Sequence, residues 1–228
     1  MIKLKNVSKS YYRKNTEVRV FDNLNFEINE GDFFAVMGPS GTGKSTFLNI
    51  VGGVDRVDGG EYWFQNERID GLTEGQLSGW RSAHVAFIFQ SFNLLKILNA
   101  AENVELPLLL TNLSRSDRQR RVMKALELVG LQDRYEHLPD ELSGGQQQRV
   151  AIARALVSDT PLILCDEPTG NIDADATDEI LDILQLLNRE FNKTIVMVTH
   201  DLYAAEYANK LLSLEKGHFE EKFIQQSA

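Results

Sequence analysis

Nine consecutive residues carry the clearest chemical signal in the sequence, and they read Gly38-Pro39-Ser40-Gly41-Thr42-Gly43-Lys44-Ser45-Thr46. The first eight match the spacing G-x-x-x-x-G-K-[ST] of a phosphate-binding loop. Its glycines let the backbone curl so that several N–H groups point at phosphate oxygens, and a helix start adds partial positive charge there. We expect Lys44 to reach the β- and γ-phosphates of a nucleotide and the Ser45 hydroxyl to ligate Mg²⁺.

Two carboxylates follow an apolar segment, Pro161-Leu162-Ile163-Leu164-Cys165, that is typical of a buried strand. Because ligands of open parallel sheets bind beyond the carboxyl ends of the strands, Asp166 and Glu167 are candidates for the same site as the loop. Asp166 would hold Mg²⁺ through water, and Glu167 would polarise the attacking water. The alternative is a strand that ends in a solvated acidic turn, and the phosphate loop favours the catalytic interpretation.

Two further polar residues stand at the ends of apolar strands. Gln90 ends the segment 84–89, where its neutral amide could contact Mg²⁺ or the water and move with the residues that follow. His200 follows the segment 194–198, where its imidazole could contact a γ-phosphate and sense its loss. Taken alone, each is better explained as a solvated or structurally hydrogen-bonded side chain, so both assignments depend on the loop.

A second glycine-containing motif, Leu142-Ser143-Gly144-Gly145-Gln146, opens a predicted helix. Ser143 and Gln146 form the S-x-x-Q pattern of a capping box, which is the simplest structural explanation. It does not explain the two glycines, since each costs a helix up to about 1 kcal/mol relative to alanine. Such glycines suit close approach of a ligand to exposed N–H groups. Because the chain already has one phosphate loop, the motif predicts a phosphate bound across a dimer interface.

An aromatic residue in the polar N-terminal segment is a candidate for stacking on a nucleotide base. Tyr11 and Tyr12 both qualify by their position, and a tyrosine that is merely exposed is the alternative for either.

The first predicted elements of the sequence are β-strands. Alternating residues predict strands over 2–6 and 23–29, with a short strand over 18–21 and a loop over 11–17. A strand, a helix and two further strands follow at 33–37, 46–51, 61–64 and 84–89. Residues 66–78 are expected to be a polar connection.

Residues 91–142 change to a helical pattern, which predicts a helical insert in an α/β domain formed by 1–90 and 143–228. One helix is expected over 99–113 with a kink at Pro107, and a second starts at Ser114 or Ser116 and ends before Gly130. The apolar side of the second helix consists of Val122, Ala125, Leu126 and Val129.

After residue 142, strands again alternate with helices, which predicts an α/β fold with a mainly parallel sheet. Helices are expected over 143–157, 176–188 and 203–208, and strands over 161–165 and 194–198. A hairpin over 210–214 and 219–223, turning at Lys216-Gly217, and a frayed tail over 225–228 close the sequence.

The composition is that of an ordinary globular protein of 228 residues, with 43% hydrophobic and 25% charged residues. A net charge of −9 argues against nucleic acid as the main partner, because phosphate backbones need a basic face. The single cysteine, Cys165, excludes an internal disulfide and suits a reducing compartment. No signal peptide and no apolar run of about 18 residues is apparent, so a membrane role is expected to come through a partner.

Together, residues 38–45, Gln90, the motif 142–146, residues 164–167 and His200 resemble the ATP-binding subunit of an ABC transporter. The resemblance implies that two copies pair head to tail around two Mg-ATP molecules, so that Ser143, Gly144 and Gly145 of one copy close on the γ-phosphate held by Lys44 of the other. It also implies that Asp173 lies at this interface and that Tyr11, rather than Tyr12, stacks on adenine.

The stretches 48–55, 87–95 and 101–108 are similar to the MacB/LolD branch, which includes macrolide-export and lipoprotein-releasing ATPases and the cell-division ATPase FtsE. This resemblance implies integral-membrane permease partners, a place on the cytoplasmic face of the cell membrane, and a periplasmic adaptor, reached through the permease, as a further candidate partner. The apolar cluster Phe92, Leu94, Leu95 and Ile97 is the expected docking surface. A soluble ABC ATPase that acts on the ribosome or nucleic acid is the alternative hypothesis.

Overall fold

The computed structural model describes residues 1–14, 16–215 and 217–222. The strands are β1 (Ile2–Arg13), β2 (Thr16–Ile28), β3 (Phe33–Met37), β4 (Gly59–Phe64), β5 (Glu67–Arg68), β6 (Val85–Phe89), β7 (Leu162–Asp166), β8 (Thr194–Val198), β9 (Lys210–Glu215) and β10 (His218–Lys222). The helices are α1 (Lys44–Val51), α2 (Glu74–His84), α3 (Ala100–Glu105), α4 (Arg115–Leu128), α5 (Gly144–Leu156), α6 (Ala174–Phe191) and α7 (Leu202–Ala205). Short 3₁₀ helices cover Leu106–Leu110, Gln132–Arg134 and Pro139–Glu141.

The strands form two sheets. A six-stranded sheet has the order β10-β9-β3-β8-β7-β6, and its pairs are parallel except for β9 with β10. A four-stranded antiparallel sheet has the order β2-β1-β4-β5. The predicted class, a mainly parallel α/β core with an N-terminal antiparallel part and a set of helices, is confirmed.

Successive residues of β3 face two different hydrophobic cores. Phe33 and Ala35 pack with the buried side chains of α3 to α6, whereas Phe34 and Val36 pack with those of α1, α2 and the antiparallel sheet. Strands covered on both faces read as continuous apolar runs, which explains the sequences of β3, β7 and β8. Because β3, β6, β7 and β8 are parallel, their carboxyl ends meet at one edge, where the candidate residues lie.

Residues 11–13 and 16–17, which were expected to belong to a loop over 11–17, form strand instead. Strand β1 continues to Arg13 and pairs with β2, with Tyr11 opposite Val18 and Tyr12 opposite Glu17. The prediction was wrong because the ladder of an antiparallel hairpin is made by main-chain groups, which polar side chains do not prevent from pairing.

The connection expected over 66–78 was also wrong, since it contains β5 and the first half of α2. The Thr73 hydroxyl accepts a hydrogen bond from the Gln76 N–H, and the Gln76 side chain accepts one from the Thr73 N–H. Leu77 and Trp80 are buried in the same core as the antiparallel sheet. The T-x-x-Q capping box was the overlooked signal, hidden by the low apolar content of the segment.

The other predicted elements are confirmed, with small differences at their ends. The helix expected over 99–113 changes into a 3₁₀ helix that contains Pro107. Ser114, rather than Ser116, caps α4, and Gly130 follows that helix with a φ of 69°. The predictions for Lys216, Phe223 and the tail 225–228 lie outside the described residues.

Candidate functional site

The phosphate loop joins the end of β3 to the start of α1. Gly38 and Gly43 have φ angles of 154° and 102°, a region that residues with a side chain rarely adopt. A Cβ atom on Gly38 would lie 2.4 Å from the Leu214 carbonyl oxygen, and one on Gly43 would lie 2.5 Å from a Val20 methyl group. Gly43 supplies no side-chain cap to α1, so the first N–H groups of the helix keep their capacity to bind an anion.

Lys44 places its charge over the loop. Its Nζ donates hydrogen bonds to the carbonyl oxygens of Gly38 at 2.8 Å and Pro39 at 2.9 Å. The Thr42 hydroxyl donates to the same Pro39 oxygen at 3.0 Å. The lysine ammonium and the α1 N-terminus therefore concentrate positive potential at one place, which suits a polyphosphate.

Asp166 at the end of β7 lies beside the loop. Burial and the charge of Glu167 raise the pKa of the Asp166 carboxyl, while a hydrogen bond from the Ser45 hydroxyl and the charge of Lys44 act in the opposite direction. A hydroxyl and a carboxylate are hard oxygen ligands, which fit Mg²⁺. Among the described residues no cluster of three or more His, Cys, Asp or Glu side chains could hold a metal ion by itself.

Glu167 and His200 lie side by side, although 33 positions separate them in the sequence. The His200 Nδ1 atom is 3.1 Å from the Glu167 Oε1 atom. The Glu167 N–H donates to the Val198 carbonyl oxygen at 2.9 Å, which ties the end of β7 to β8. Glu167 has a φ of 49°, and strained residues of this kind cluster at functional sites. A carboxylate and an imidazole thus lie within 3.1 Å of each other at this edge of the sheet.

Gln90 lies against the turn that follows Glu167. A Cβ atom on Gly170 would be only 2.6 Å from the Gln90 Nε2 atom. The Asn171 side-chain amide donates to the Gln90 carbonyl oxygen at 3.0 Å. The ends of β6 and β7 are thus in contact through Gln90, Gly170 and Asn171.

The motif at the start of α5 lies elsewhere in the fold. Ser143 and Gln146 form the predicted capping box. Asp173 caps α6 by accepting a hydrogen bond from the Ala176 N–H at 2.9 Å. In the part of the chain that the structure describes, no hydrogen bond joins residues 143–146 or Asp173 to the phosphate loop.

The two glycines of this motif have different surroundings. A Cβ atom on Gly145 would lie 2.5 Å from the Ala176 Cβ atom, so Gly145 is required for α5 to pack on α6. A Cβ atom on Gly144 would meet only ordinary contacts, beginning with the Asn171 carbonyl oxygen at 3.4 Å. Packing of α5 on α6 is therefore sufficient to explain the glycine at position 145, whereas the contacts around Gly144 do not require a glycine.

Tyr11 is held near the first turn of α1. Its hydroxyl donates to the Asp55 carboxylate at 2.6 Å, and the Lys9 Nζ atom lies 5.1 Å from the ring centroid. Burial and Asp55 raise the pKa of the Tyr11 hydroxyl, and a hydrogen bond from Thr46 opposes this shift. Tyr12 is 75% exposed against 38% for Tyr11, because neighbouring strand residues point to opposite faces. Tyr11 is thus the tyrosine beside the phosphate loop.

The structure also reveals neighbours of the site that the sequence did not single out. Asp55 orients Tyr11, and the fully buried Gln148 contacts the backbone next to Gln90 and Glu167. Gln148 stands in a run of three glutamines, so only the helical period, which places it on the core side of α5, could have indicated it.

Comparisons with known proteins agree with this geometry. The ABC transporter family matches residues 21–170. An uncharacterised ABC transporter ATP-binding protein of Methanocaldococcus jannaschii, MJ0796, is 44% identical over 224 residues, covering 96% of this chain and 95% of the relative. The macrolide export ATP-binding/permease protein MacB of Pasteurella multocida is 40% identical over 217 residues, which are 95% of this chain but 33% of MacB. A dimeric structure of MJ0796 in a post-hydrolysis state, bound to ADP and Pi, superposes with a TM-score of 0.89 at 41% identity, covering 97% of this chain and 98% of that one.

Proposed function

Because the chain belongs to the ABC transporter family and is an ABC-type ATPase, we propose that it is the ATP-hydrolysing subunit of a MacB-like membrane complex. In this proposal the chain sits on the cytoplasmic face of the cell membrane and drives export or mechanical work on a lipoprotein- or macrolide-type substrate. None of the helices in the described ranges has the length and hydropathy to cross a bilayer. Permease subunits, and through them a periplasmic adaptor, are the proposed partners.

The convergence of the phosphate loop with the ends of β7 and β8 is the observation that carries this proposal. It brings together a lysine, a hydroxyl and a carboxylate that suit Mg-ATP, and beside them the contact between Glu167 and His200. A structural turn would not need a strained glutamate within hydrogen-bond distance of a histidine next to such a loop.

ATP is the substrate of the proposed reaction. The backbone N–H groups of residues 41–45 and the Lys44 ammonium hold the β- and γ-phosphates. Ser45, Asp166 and Gln90 would hold Mg²⁺, which when bound neutralises charge on the phosphate oxygens. Glu167 orients a water for in-line attack on the γ-phosphorus, the bond to the β–γ bridging oxygen breaks, and ADP and phosphate are the products. His200 donates to the γ-phosphate from its position beside Glu167.

A second copy of the chain completes the site in this proposal. Ser143, Gly144 and Gly145 of one copy approach the γ-phosphate held by Lys44 of the other, and Asp173 lies at the same interface. The dimeric structures of the similar cassette MJ0796 support this arrangement. The surroundings of Gly144 support it as well, because a Cβ atom there would make only ordinary contacts and nothing in its own chain demands a glycine.

The docking surface for the permease is proposed at the segment after Gln90. Leu95 and Ile97 are 48% and 86% exposed, and Leu94 packs partly into the core. A neighbouring groove of about 370 Å³ is lined by apolar residues that include Phe87, Phe89 and Leu110 and by polar ones that include Asn93 and Arg154. Exposed apolar side chains next to such a groove suit a short cytoplasmic helix of a membrane protein.

The catalytic part of the proposal is tested with Glu167→Gln. We expect ATP binding to be retained and turnover to fall by at least about 100-fold, because the amide cannot act as a general base. ATP should then trap the dimer, which gel filtration with and without ATP would detect. Glu190→Gln, an exposed position on α6, is the matched control. Turnover of the Glu167→Gln protein at the rate of the control would refute the role of Glu167.

A further inference from the structure

Gln148 is a fully buried amide that the proposed reaction does not use. Its Nε2 atom donates to the Pro168 carbonyl oxygen at 2.5 Å and to the Phe89 carbonyl oxygen at 3.4 Å. Phe89 directly precedes Gln90, and Pro168 directly follows Glu167. One side chain of α5 therefore contacts the backbone on which two proposed catalytic residues stand.

The orientation of this amide is set by its partners. Both neighbours are carbonyl acceptors, so only the NH₂ end can face them. The Oε1 atom is buried and has no hydrogen-bond partner among the described residues. A buried oxygen without a partner is unfavourable, and an apolar side chain of similar size would avoid it. The donating end is thus what a glutamine supplies at this position.

Arg154, six residues further along α5, holds the chain on the other side of Gln90. Its guanidinium donates to the carbonyl oxygens of Phe92 at 2.8 Å and Asn93 at 2.6 Å. Both of these residues have positive φ angles, 59° and 51°, which non-glycine residues rarely adopt. Such strain persists only where surrounding contacts maintain it. Side chains of helix α5 are therefore hydrogen-bonded to the backbone immediately before and shortly after Gln90.

We propose that Gln148 and Arg154 are positioning residues through which α5 sets the placement of Gln90 and Glu167. The inference rests on the proposed function, which assigns those two residues to the reaction. Helix α5 begins with the motif that is proposed to meet the nucleotide of the second copy. Because a helix moves as a rigid element, closure of that end would shift both Gln90 and Glu167 without any contact between Gln148 or Arg154 and ATP.

The test is Gln148→Met, which keeps the length of the side chain and removes the donor. We expect kcat for ATP to fall by about 10- to 100-fold, since small displacements of reacting groups have effects of this size. The KM and the Kd for ATP should stay within about threefold of wild type, because the phosphate loop is unchanged. Gln185→Met is the matched control: Gln185 lies on α6, and its amide donates to the Tyr207 carbonyl oxygen at 3.3 Å. Denaturant unfolding of both variants separates lost positioning from lost folding.

Two further variants keep the test decisive. Gln148→Asn retains an amide, but on a side chain that is too short to reach both carbonyl oxygens. We expect this variant to fold and still to have a lower kcat for ATP hydrolysis. Arg154→Lys keeps the charge but not the two-pronged donor, so it should lower kcat by a smaller factor of about three to ten. If folded Gln148→Met and Gln148→Asn proteins turn over ATP like the Gln185→Met control, the inference is wrong. If the wild-type chain does not hydrolyse ATP, the proposed function fails instead.

Discussion

The phosphate loop and the motif at residues 142–146 are both glycine-containing helix starts, but they differ in what their own chain provides. Helix α1 starts after a left-handed glycine without a side-chain cap, and its first residue is Lys44. Helix α5 starts after Ser143, whose side chain caps it together with Gln146, and its first turn contains no charged residue. The first is a full anion site with its own cation, whereas the second offers only part of one.

Because of this difference, a single copy in the proposed arrangement would bind a nucleotide without completing the catalytic site. The loop can hold a polyphosphate alone, because backbone N–H groups, a lysine and a helix start act together. In the proposed arrangement, the capped and uncharged start of α5 meets an anion that is already held by the other copy. The two regions should therefore respond in opposite ways to mutation: one should lose binding, and the other should lose turnover with binding intact.

The largest expected effect comes from breaking each region in turn. Lys44→Ala should raise the Kd for ATP by at least about 100-fold, since it removes the charge that faces the phosphates. Ser143→Arg should leave ATP binding by the single copy within about twofold and abolish hydrolysis. The long arginine side chain would fill the space that the γ-phosphate held by the other copy must occupy when the dimer closes. Fluorescent-nucleotide titration and phosphate release measure the two quantities separately.

Mixing these two inactive variants is the sharper form of the same experiment. In a mixed head-to-tail dimer one site carries both changes and the other carries neither, so random pairing should restore about a quarter of wild-type activity. No recovery at concentrations where wild type is active, together with a wild-type rate per chain that is unchanged on dilution, would contradict the two-copy arrangement.

The two glycines of α5 give an intermediate effect. Gly145→Ala should lower the free energy of unfolding by about 1–3 kcal/mol, because its methyl group would push α5 away from Ala176. The methyl group of Gly144→Ala would make only ordinary contacts, so this change should leave stability unchanged or raise it by up to about 1 kcal/mol through helix propensity. Denaturant unfolding measures both changes.

Turnover then distinguishes the roles of these glycines. Gly144→Ala should lower hydrolysis although it does not destabilise the chain, since a methyl group would stand between the N–H groups and the phosphate. A stable Gly144→Ala protein with wild-type turnover would mean that this glycine does not approach a ligand.

The sequence was most informative where the backbone conformation or the burial of an element requires particular residue types. The glycines of residues 38–43 are demanded by positive φ angles, and β7 must be apolar because both of its faces are covered, so loop and strand could be read directly. Helix α2 was missed because its stability depends on a capping box and two buried side chains rather than on a long apolar face. A short polar segment gives little periodicity to read.

Contacts between distant segments were beyond the sequence. Ala176, the neighbour of Gly145, lies on another helix, so only the packing distance shows that the fold itself requires a glycine at position 145. The bonds of Gln148 and Arg154 to carbonyl oxygens carry no signature, because backbone acceptors are present at every residue. Residue types therefore predicted which side chains could react, but not the contacts that position those side chains.

The smallest expected effect concerns the base of the nucleotide, which is proposed to stack on Tyr11 of β1. Tyr11→Ala should weaken ATP binding by about 1 kcal/mol, or about fivefold, through lost stacking on adenine. Tyr11→Phe keeps the ring but removes the hydrogen bond to Asp55, so it should change the Kd by less than about twofold. Tyr12→Ala, on the opposite face of the strand, is the control and should leave binding unchanged. Residues 11 and 12 cannot face the same nucleotide in one extended strand. If Tyr12→Ala weakened ATP binding more than Tyr11→Ala, the stacking residue would be Tyr12, and the assignment of Tyr11 would be wrong.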